Sequence, residues 1–196
     1  MQIITLPEPF LHYIVHDFFD PDELDAVWNE IDYFHKTNSF IDNASTGDPT
    51  SASNKIGVSL DGHYSSIGRE HSAILNSYQK IFTLKDYVAD PYLAKFLLHT
   101  NYDQSFVNYY PHHSYYPAHI DFSVISCITT LWKEPKQFKH GDLIFTDYNY
   151  MPDLHSNSTI IFPSFEKHEV SKLEFENEQF GLSRYSISKF LLQERI

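Results

Sequence analysis

Cys127 is the only cysteine among the 196 residues, so neither an intrachain disulfide nor a thiolate zinc or iron-sulfur cluster can form within the chain. A reducing, cytoplasmic setting fits that usage. Basic residues are also scarce: Lys and Arg total 14 against 26 Asp and Glu, a formal net charge of -12. No basic run interrupts this acidic background, so duplex nucleic acid would be repelled and is not an expected partner. No apolar run approaches the roughly 18 residues of a membrane span. The N-terminus, Met1 to Pro9, lacks a basic region ahead of an apolar stretch, so no secretion signal is read. The expectation is one soluble domain spanning 1–196, with peptide, protein or small-molecule partners and no membrane partner.

Aromatic residues and histidine are plentiful: 14 Tyr, 16 Phe, 2 Trp and 12 His. The aromatic content suits strands and a lined cavity. Residues 1–103 read as a helix-rich support. Phe10 to Val15 has strand-like content, and Asp20-Pro21-Asp22-Glu23 then supplies a capping residue, a proline at the first helical position and a capping-box glutamate. Leu24, Val27, Trp28, Ile31 and Phe34 give the helix that follows one apolar face. Thr37 to Asn54 reads as a surface loop long enough to cover a site. A short strand near 56–60, a helix over 66–82 and another over 91–99 complete this half. From residue 104 to 196 the pattern is all β, with strands expected near 104–110, 114–119, 124–132, 142–146, 158–163, 168–175 and 183–192. Seven or eight such strands suggest a jelly roll buttressed by the helices.

His119 and Asp121 lie two residues apart, which on one strand places both side chains on the same face. His168, where a turn leads into a strand, is a third donor. Two histidines and a carboxylate form a facial triad that leaves coordination positions open, a set suited to ferrous iron with zinc as its main competitor. Alone, a His-x-Asp pair is more often a surface or turn feature than a pair of ligands. His112, His113, His140 and His155 read as loop histidines. Tyr116, Thr130, Trp132 and Phe145 read as cavity lining or core.

The flanking blocks narrow the choice. Tyr110-Pro111-His112-His113-Ser114-Tyr115-Tyr116-Pro117-Ala118-His119-Ile120-Asp121 resembles the entry to the metal site of prolyl 4-hydroxylase-like 2-oxoglutarate oxygenases. The resemblance continues in order through Ile128 to Trp132, Gly141 to Phe145, Ile160 to Ser164, His168 to Val170 and Gly181 to Ser186. It implies a double-stranded β-helix (cupin-like jelly roll), Fe(II) on His119, Asp121 and His168, and 2-oxoglutarate and dioxygen as cosubstrates, with ascorbate as a supporting reductant. Arg184 is then the cation for the far carboxylate of 2-oxoglutarate, since a guanidinium gives a bidentate contact. Ser186, two residues on, shares its face, and Tyr110 could donate its hydroxyl to the same carboxylate. A prolyl residue in a peptide or protein is the first-ranked substrate, a free amino acid or small metabolite the second. A jelly-roll metal-binding module or isomerase without oxygen chemistry is the alternative from another class. The chain departs from the family pattern in three places: an acidic insertion over Glu174 to Phe180, His140 beside Gly141 where two glycines are common, and His113 where glycine is frequent.

Overall fold

The computed structural model describes residues 1–42, 54–86, 91–176 and 179–193. The largest sheet has eight antiparallel strands in the order β1 (Gln2–Leu6), β2 (His12–His16), β10 (Ser158–Pro163), β7 (Ile125–Leu131), β13 (Arg184–Leu192), β5 (Tyr102–Tyr110), β4 (Ile56–Ser59) and β3 (Ile41–Asp42). A second layer holds a three-stranded sheet in the order β6 (Tyr116–His119), β11 (His168–Val170), β9 (Leu143–Phe145), beside a ribbon of β8 (Phe138–Lys139) and β12 (Glu174–Phe175). The two layers form the expected jelly roll.

Side-chain alternation along the large sheet divides the molecule into two cores. Tyr13, Val15, Val107, Tyr109, Cys127, Ile161, Tyr185 and Ile187 point to the helical side, where they pack with Val27, Ile31 and Phe34. Their strand neighbours Ile14, Tyr110, Ile128, Ile160 and Phe162 point the other way, onto Leu143, Phe145 and Val170 of the second layer. Each large apolar side chain buried this way contributes about 1.5–3 kcal/mol.

Helix α1 (Pro21–Lys36) starts at the expected capping box: Asp20 accepts from the Glu23 amide and Glu23 accepts from the Asp20 amide, both at 2.9 Å. Its buried face also carries Glu30, whose carboxylate accepts from the Tyr64 hydroxyl (2.8 Å), the Ser72 hydroxyl (2.7 Å) and the Ile74 amide (2.8 Å). That carboxylate explains one correction. The helix read over 66–82 is instead a 3-10 turn at Arg69–His71, helix α3 (Ala73–Ser77) and a 3-10 segment Tyr78–Asp86. Gly68, at φ +99°, breaks the run, and the start of α3 is turned to face Glu30. Short helix α2 (Leu60–His63) follows β4, and α4 (Pro91–Leu98) matches the sequence reading.

Two other boundaries shift. The strand read over 168–175 divides into β11 and β12, because β12 leaves the metal-side sheet to pair with β8. Ile41 and Asp42, read as loop, pair with β4. Residues 43–53 of that loop lie outside the described residues, as do 177 and 178 of the acidic insertion. The N-terminal half supplies four strands of the large sheet as well as the supporting helices.

Candidate metal centre and cosubstrate pocket

β6 and β11 pair antiparallel with His119 directly opposite His168. Their ring centroids are 4.3 Å apart. His168 is buried against Phe162 and Phe145, while His119 sits nearer the mouth with its ring edge-on to Tyr116 at 4.5 Å.

Asp121 reaches the pair by a route that strand alternation did not anticipate. β6 ends at His119, and Asp121 lies in the loop beyond. Its amide donates to the Ser164 carbonyl at 2.9 Å, pinning this loop to the turn that precedes β11. The Ser126 hydroxyl donates to Asp121 Oδ2, and Ser126 Oγ also lies 2.9 Å from Ser164 Oγ.

Both imidazoles are oriented by backbone. His119 Nδ1 donates to the Pro117 carbonyl and His168 Nδ1 to the Glu166 carbonyl, each at 2.9 Å. A carbonyl can only accept, so the hydrogen sits on Nδ1 and the Nε2 lone pairs face inward, as metal ligands require. His119 Nε2 lies 3.4 Å from Asp121 Oδ1, and His168 Nε2 lies 3.6 Å from Asp121 Oδ2. Ligands about 2 Å from one ion at right angles stand roughly 3 Å apart, so the three groups need little movement to share a cation. Burial works against ionisation of Asp121, but His119, His168 and Ser126 outweigh it and hold the carboxyl below its ordinary range. Burial lowers the affinity of His168 for a proton, with Asp121 opposing, which favours the neutral ligand form. Among the described residues this is the one cluster of His, Cys, Asp or Glu able to hold an ion.

The triad opens into a cavity of 630 Å³ whose wall includes Tyr110, Arg184, Ser186, Asn108 and Lys55. The size suits small ligands, whose sites span about 300–1,000 Å³. Arg184 is 1% exposed, and neither Nη1 nor Nη2 has a hydrogen-bond partner among the described residues. A buried cation is stable only with its donors engaged, so the site is built for an anion. Arg184 pairs in register with Tyr110, and its guanidinium carbon lies 4.7 Å from the Tyr110 ring centroid. Gly141 makes room behind it: at φ +73°, a Cβ there would meet Arg184 Cδ at 3.3 Å and Leu173 Cδ1 at 3.1 Å. Ser186 faces the same cavity and accepts from Asn108 Nδ2 at 3.3 Å.

The structure therefore gathers all six sequence-derived site residues around one cavity. Tyr116 also lines it. Thr130 and Trp132 instead line a second, 430 Å³ pocket on the other side of Arg184, and Phe145 packs behind His168. His112 accepts from the Phe175 amide, and His155 lies against His16. His113 and His140, which stand where the resemblance leads one to expect glycine, both have positive φ, at 63° and 59°, a backbone conformation that suits glycine and that this chain adopts with histidine.

Two wall residues escaped sequence reasoning. Lys55 is 5% exposed, and its ammonium lies 4.2 Å from the Tyr116 ring centroid. Burial and then Arg184 push its pKa down to about 8, with Asp121 opposing. Asn108 is buried, and its Oδ1 has no partner among the described residues. Asn108 lies two residues before Tyr110 on β5 and shares its face, a spacing that could have marked it. Lys55 reaches the wall through the pairing of β4 with β5, and that is a tertiary fact.

No protein-family model and no curated protein sequence matches the chain. Solved structures do. A prolyl-4-hydroxylase from Pseudomonas putida superposes with a TM-score of 0.61 at 14% identity, covering 93% of this chain and 92% of its own. A prolyl hydroxylase from Trichoplax adhaerens, solved with a peptide fragment of the hypoxia inducible factor oxygen degradation domain, gives 0.61 at 12% identity, covering 93% and 83%. A member of the 2OG-Fe(II) oxygenase family from Burkholderia pseudomallei gives 0.56 at 11% identity, covering 93% and 84%. The chain has the jelly-roll fold of the prolyl hydroxylases and 2-oxoglutarate-Fe(II) oxygenases.

Proposed function

We propose that this protein is an Fe(II)- and 2-oxoglutarate-dependent oxygenase that hydroxylates a substrate carbon, with His119, Asp121 and His168 holding the metal. The observation that carries the reading is the buried guanidinium of Arg184, in the same cavity as the triad, with no hydrogen-bond partner for Nη1 or Nη2 among the described residues. A metal-binding module or isomerase needs the triad alone, whereas a dicarboxylate that chelates a metal at one end needs a cation at the other. The fold neighbours support the same choice.

Bound there, ferrous iron and 2-oxoglutarate supply oxidative chemistry: with dioxygen, the keto acid is converted to succinate and carbon dioxide while a substrate C–H becomes C–OH. The protein's share is positional. The Pro117 and Glu166 carbonyls keep the Nε2 lone pairs directed inward, and Ser126 orients the Asp121 carboxylate. Arg184 fixes the far carboxylate of the keto acid, with Tyr110 beneath it and Ser186 on the same strand face. Ile128, Leu143 and Val170 supply an apolar wall beside the ligands that limits water near the reacting bond.

A prolyl residue in a peptide is the substrate that the sequence resemblance ranks first, and a free amino acid the second. The test of the general reading is succinate formation from 2-oxoglutarate with Fe(II), ascorbate and oxygen, together with metal analysis. His119→Ala, Asp121→Ala and His168→Ala should each lose bound iron and turnover. A His119→Ala protein that keeps its fold, its iron and its turnover would refute the assignment.

A further inference from the structure

We infer that the substrate is a neutral, hydrocarbon-rich small molecule whose apolar body lies against Phe106, Phe190 and Leu192 at the mouth of the cavity. The inference rests on the oxygenase reading and supplies its substrate class. Strands β5 and β13 floor the cavity in cross-strand rows. Arg184 pairs with Tyr110 at the inner end, and Ser188 with Phe106 and Phe190 with Gln104 toward the mouth; all six line the cavity. Charge is graded along these rows. Arg184 and Lys55 stand at the inner end, since Lys55 adjoins Ile56, which pairs with Tyr109. Toward the mouth, both strands keep their charged residues on the opposite face, where Lys189 pairs with Asp103 and Asp103 with Arg69. What they turn into the cavity is Phe106, Phe190 and Leu192, with Gln104 beside them; the two phenylalanine rings have centroids 5.9 Å apart.

The metal ligands stand level with this surface. Ser126, whose hydroxyl orients Asp121, pairs with Phe190, so a molecule resting on Phe190 lies beside the triad and clear of the inner end that Arg184 commits to 2-oxoglutarate. Ile120 and Phe122, on the loop that carries Asp121, extend the apolar wall across the opening, yet they are 48% and 95% exposed. A hydrocarbon ligand would cover surface that is otherwise left to water. From Ser188 to Leu192 the floor runs about 13 Å, room for a bicyclic ring or a medium-length chain. Among the described residues this part of the wall has no charged side chain apart from the ligand Asp121. Its polar groups are few and engaged: Ser123 Oγ lies 2.5 Å from Ser164 Oγ, and Gln104 Nε2 donates to the Tyr102 hydroxyl at 3.4 Å. A carboxylate or ammonium group buried here would lack a counter-charge, and a peptide backbone would leave N–H and C=O groups unmet. A neutral hydrocarbon body incurs neither cost.

The test is calorimetric titration of the Mn(II)-loaded protein, with and without 2-oxoglutarate, using matched probes: 2-naphthamide against 2-naphthoate and 2-naphthylmethylammonium, decanamide against decanoate, and a capped triproline peptide. The expected result is binding of at least one neutral amide, with its charged counterparts weaker by at least about tenfold. Phe106 and Phe190 are only half-buried, so either can be replaced without opening the core. Phe190→Ala should weaken amide binding by about tenfold or more, and Phe106→Lys should turn the preference toward the carboxylate. Circular dichroism checks that each variant folds, and if Phe106→Lys does not, Phe190→Ala decides. The inference is overturned if neither amide binds although 2-oxoglutarate does, if the charged probes bind as well as the amides, if the triproline peptide binds more tightly than both amides, or if Phe190→Ala leaves amide binding unchanged. Absence of 2-oxoglutarate binding by the wild-type protein would instead refute the oxygenase reading, and the titration without 2-oxoglutarate would still decide the mouth site.

Discussion

Lys55→Met tests the energetic burden of a buried cation. In the folded protein the pKa falls from the ordinary 10.5 to about 8, chiefly through burial. The folded value is the lower one, so the unfolded chain binds more protons between these limits, and stability rises with pH across that window. Below about pH 8 the charged lysine disfavours the fold by roughly 3 kcal/mol, taking about 1.4 kcal/mol per tenfold change in proton affinity. Its contact with the Tyr116 ring returns about 0.5–2 kcal/mol of this. Methionine keeps most of the stem and removes the charge. The metal-free variant should therefore be about 1–2 kcal/mol more stable than wild type at pH 7, with the difference shrinking as pH rises from 8 toward 10. Urea unfolding of both proteins at several pH values measures this directly. A variant less stable at pH 7, or a difference independent of pH, would refute the reasoning, because either result means that the surroundings of Lys55 stabilise it as a cation.

Three more perturbations test other parts of the structure. Ser126→Ala removes the hydroxyl that orients Asp121 and should weaken Mn(II) or Fe(II) affinity by about 10–100-fold; an unchanged titration would deny the serine that role. Glu30→Ala leaves the Tyr64, Ser72 and Ile74 donors without their acceptor and should destabilise the fold by about 3 kcal/mol or more, read from denaturant unfolding, where a loss under about 1 kcal/mol contradicts the account. His140→Gly relieves a left-handed conformation on an exposed residue and should add about 0.5–1 kcal/mol; a loss of stability would show that the imidazole makes a compensating contact.

What the sequence revealed followed from how local each signal is. The capping box of α1 and the β7, β10 and β13 strands are fixed by neighbours in the chain, and each formed near its expected boundaries. The helix read over 66–82 failed because Glu30, more than forty residues away, outweighs a periodic pattern that would otherwise run straight. The metal ligands were legible for a mixed reason. His119 and His168 do sit on strands, but Asp121 is positioned by a hydrogen bond to Ser164 and a hydroxyl from Ser126, so the His-x-Asp spacing led to the right residue through an incomplete geometry. Lys55 was out of reach because it joins the cavity wall through the pairing of β4 with β5, which a linear pattern does not carry, whereas Asn108 could have been found from its spacing to Tyr110.

The opposition of His119 and His168 across β6 and β11 also ties chemistry to folding. These strands have only four and three residues, and few backbone bonds join them. An ion held by both rings fastens one strand to the other, and any ion bound by the folded chain alone adds to its stability by mass action, about 2.7 kcal/mol at a hundred times the dissociation constant. Melting temperature and free metal concentration thus become a single coupled quantity, and a thermal scan across metal buffers would measure affinity without a substrate ever being added.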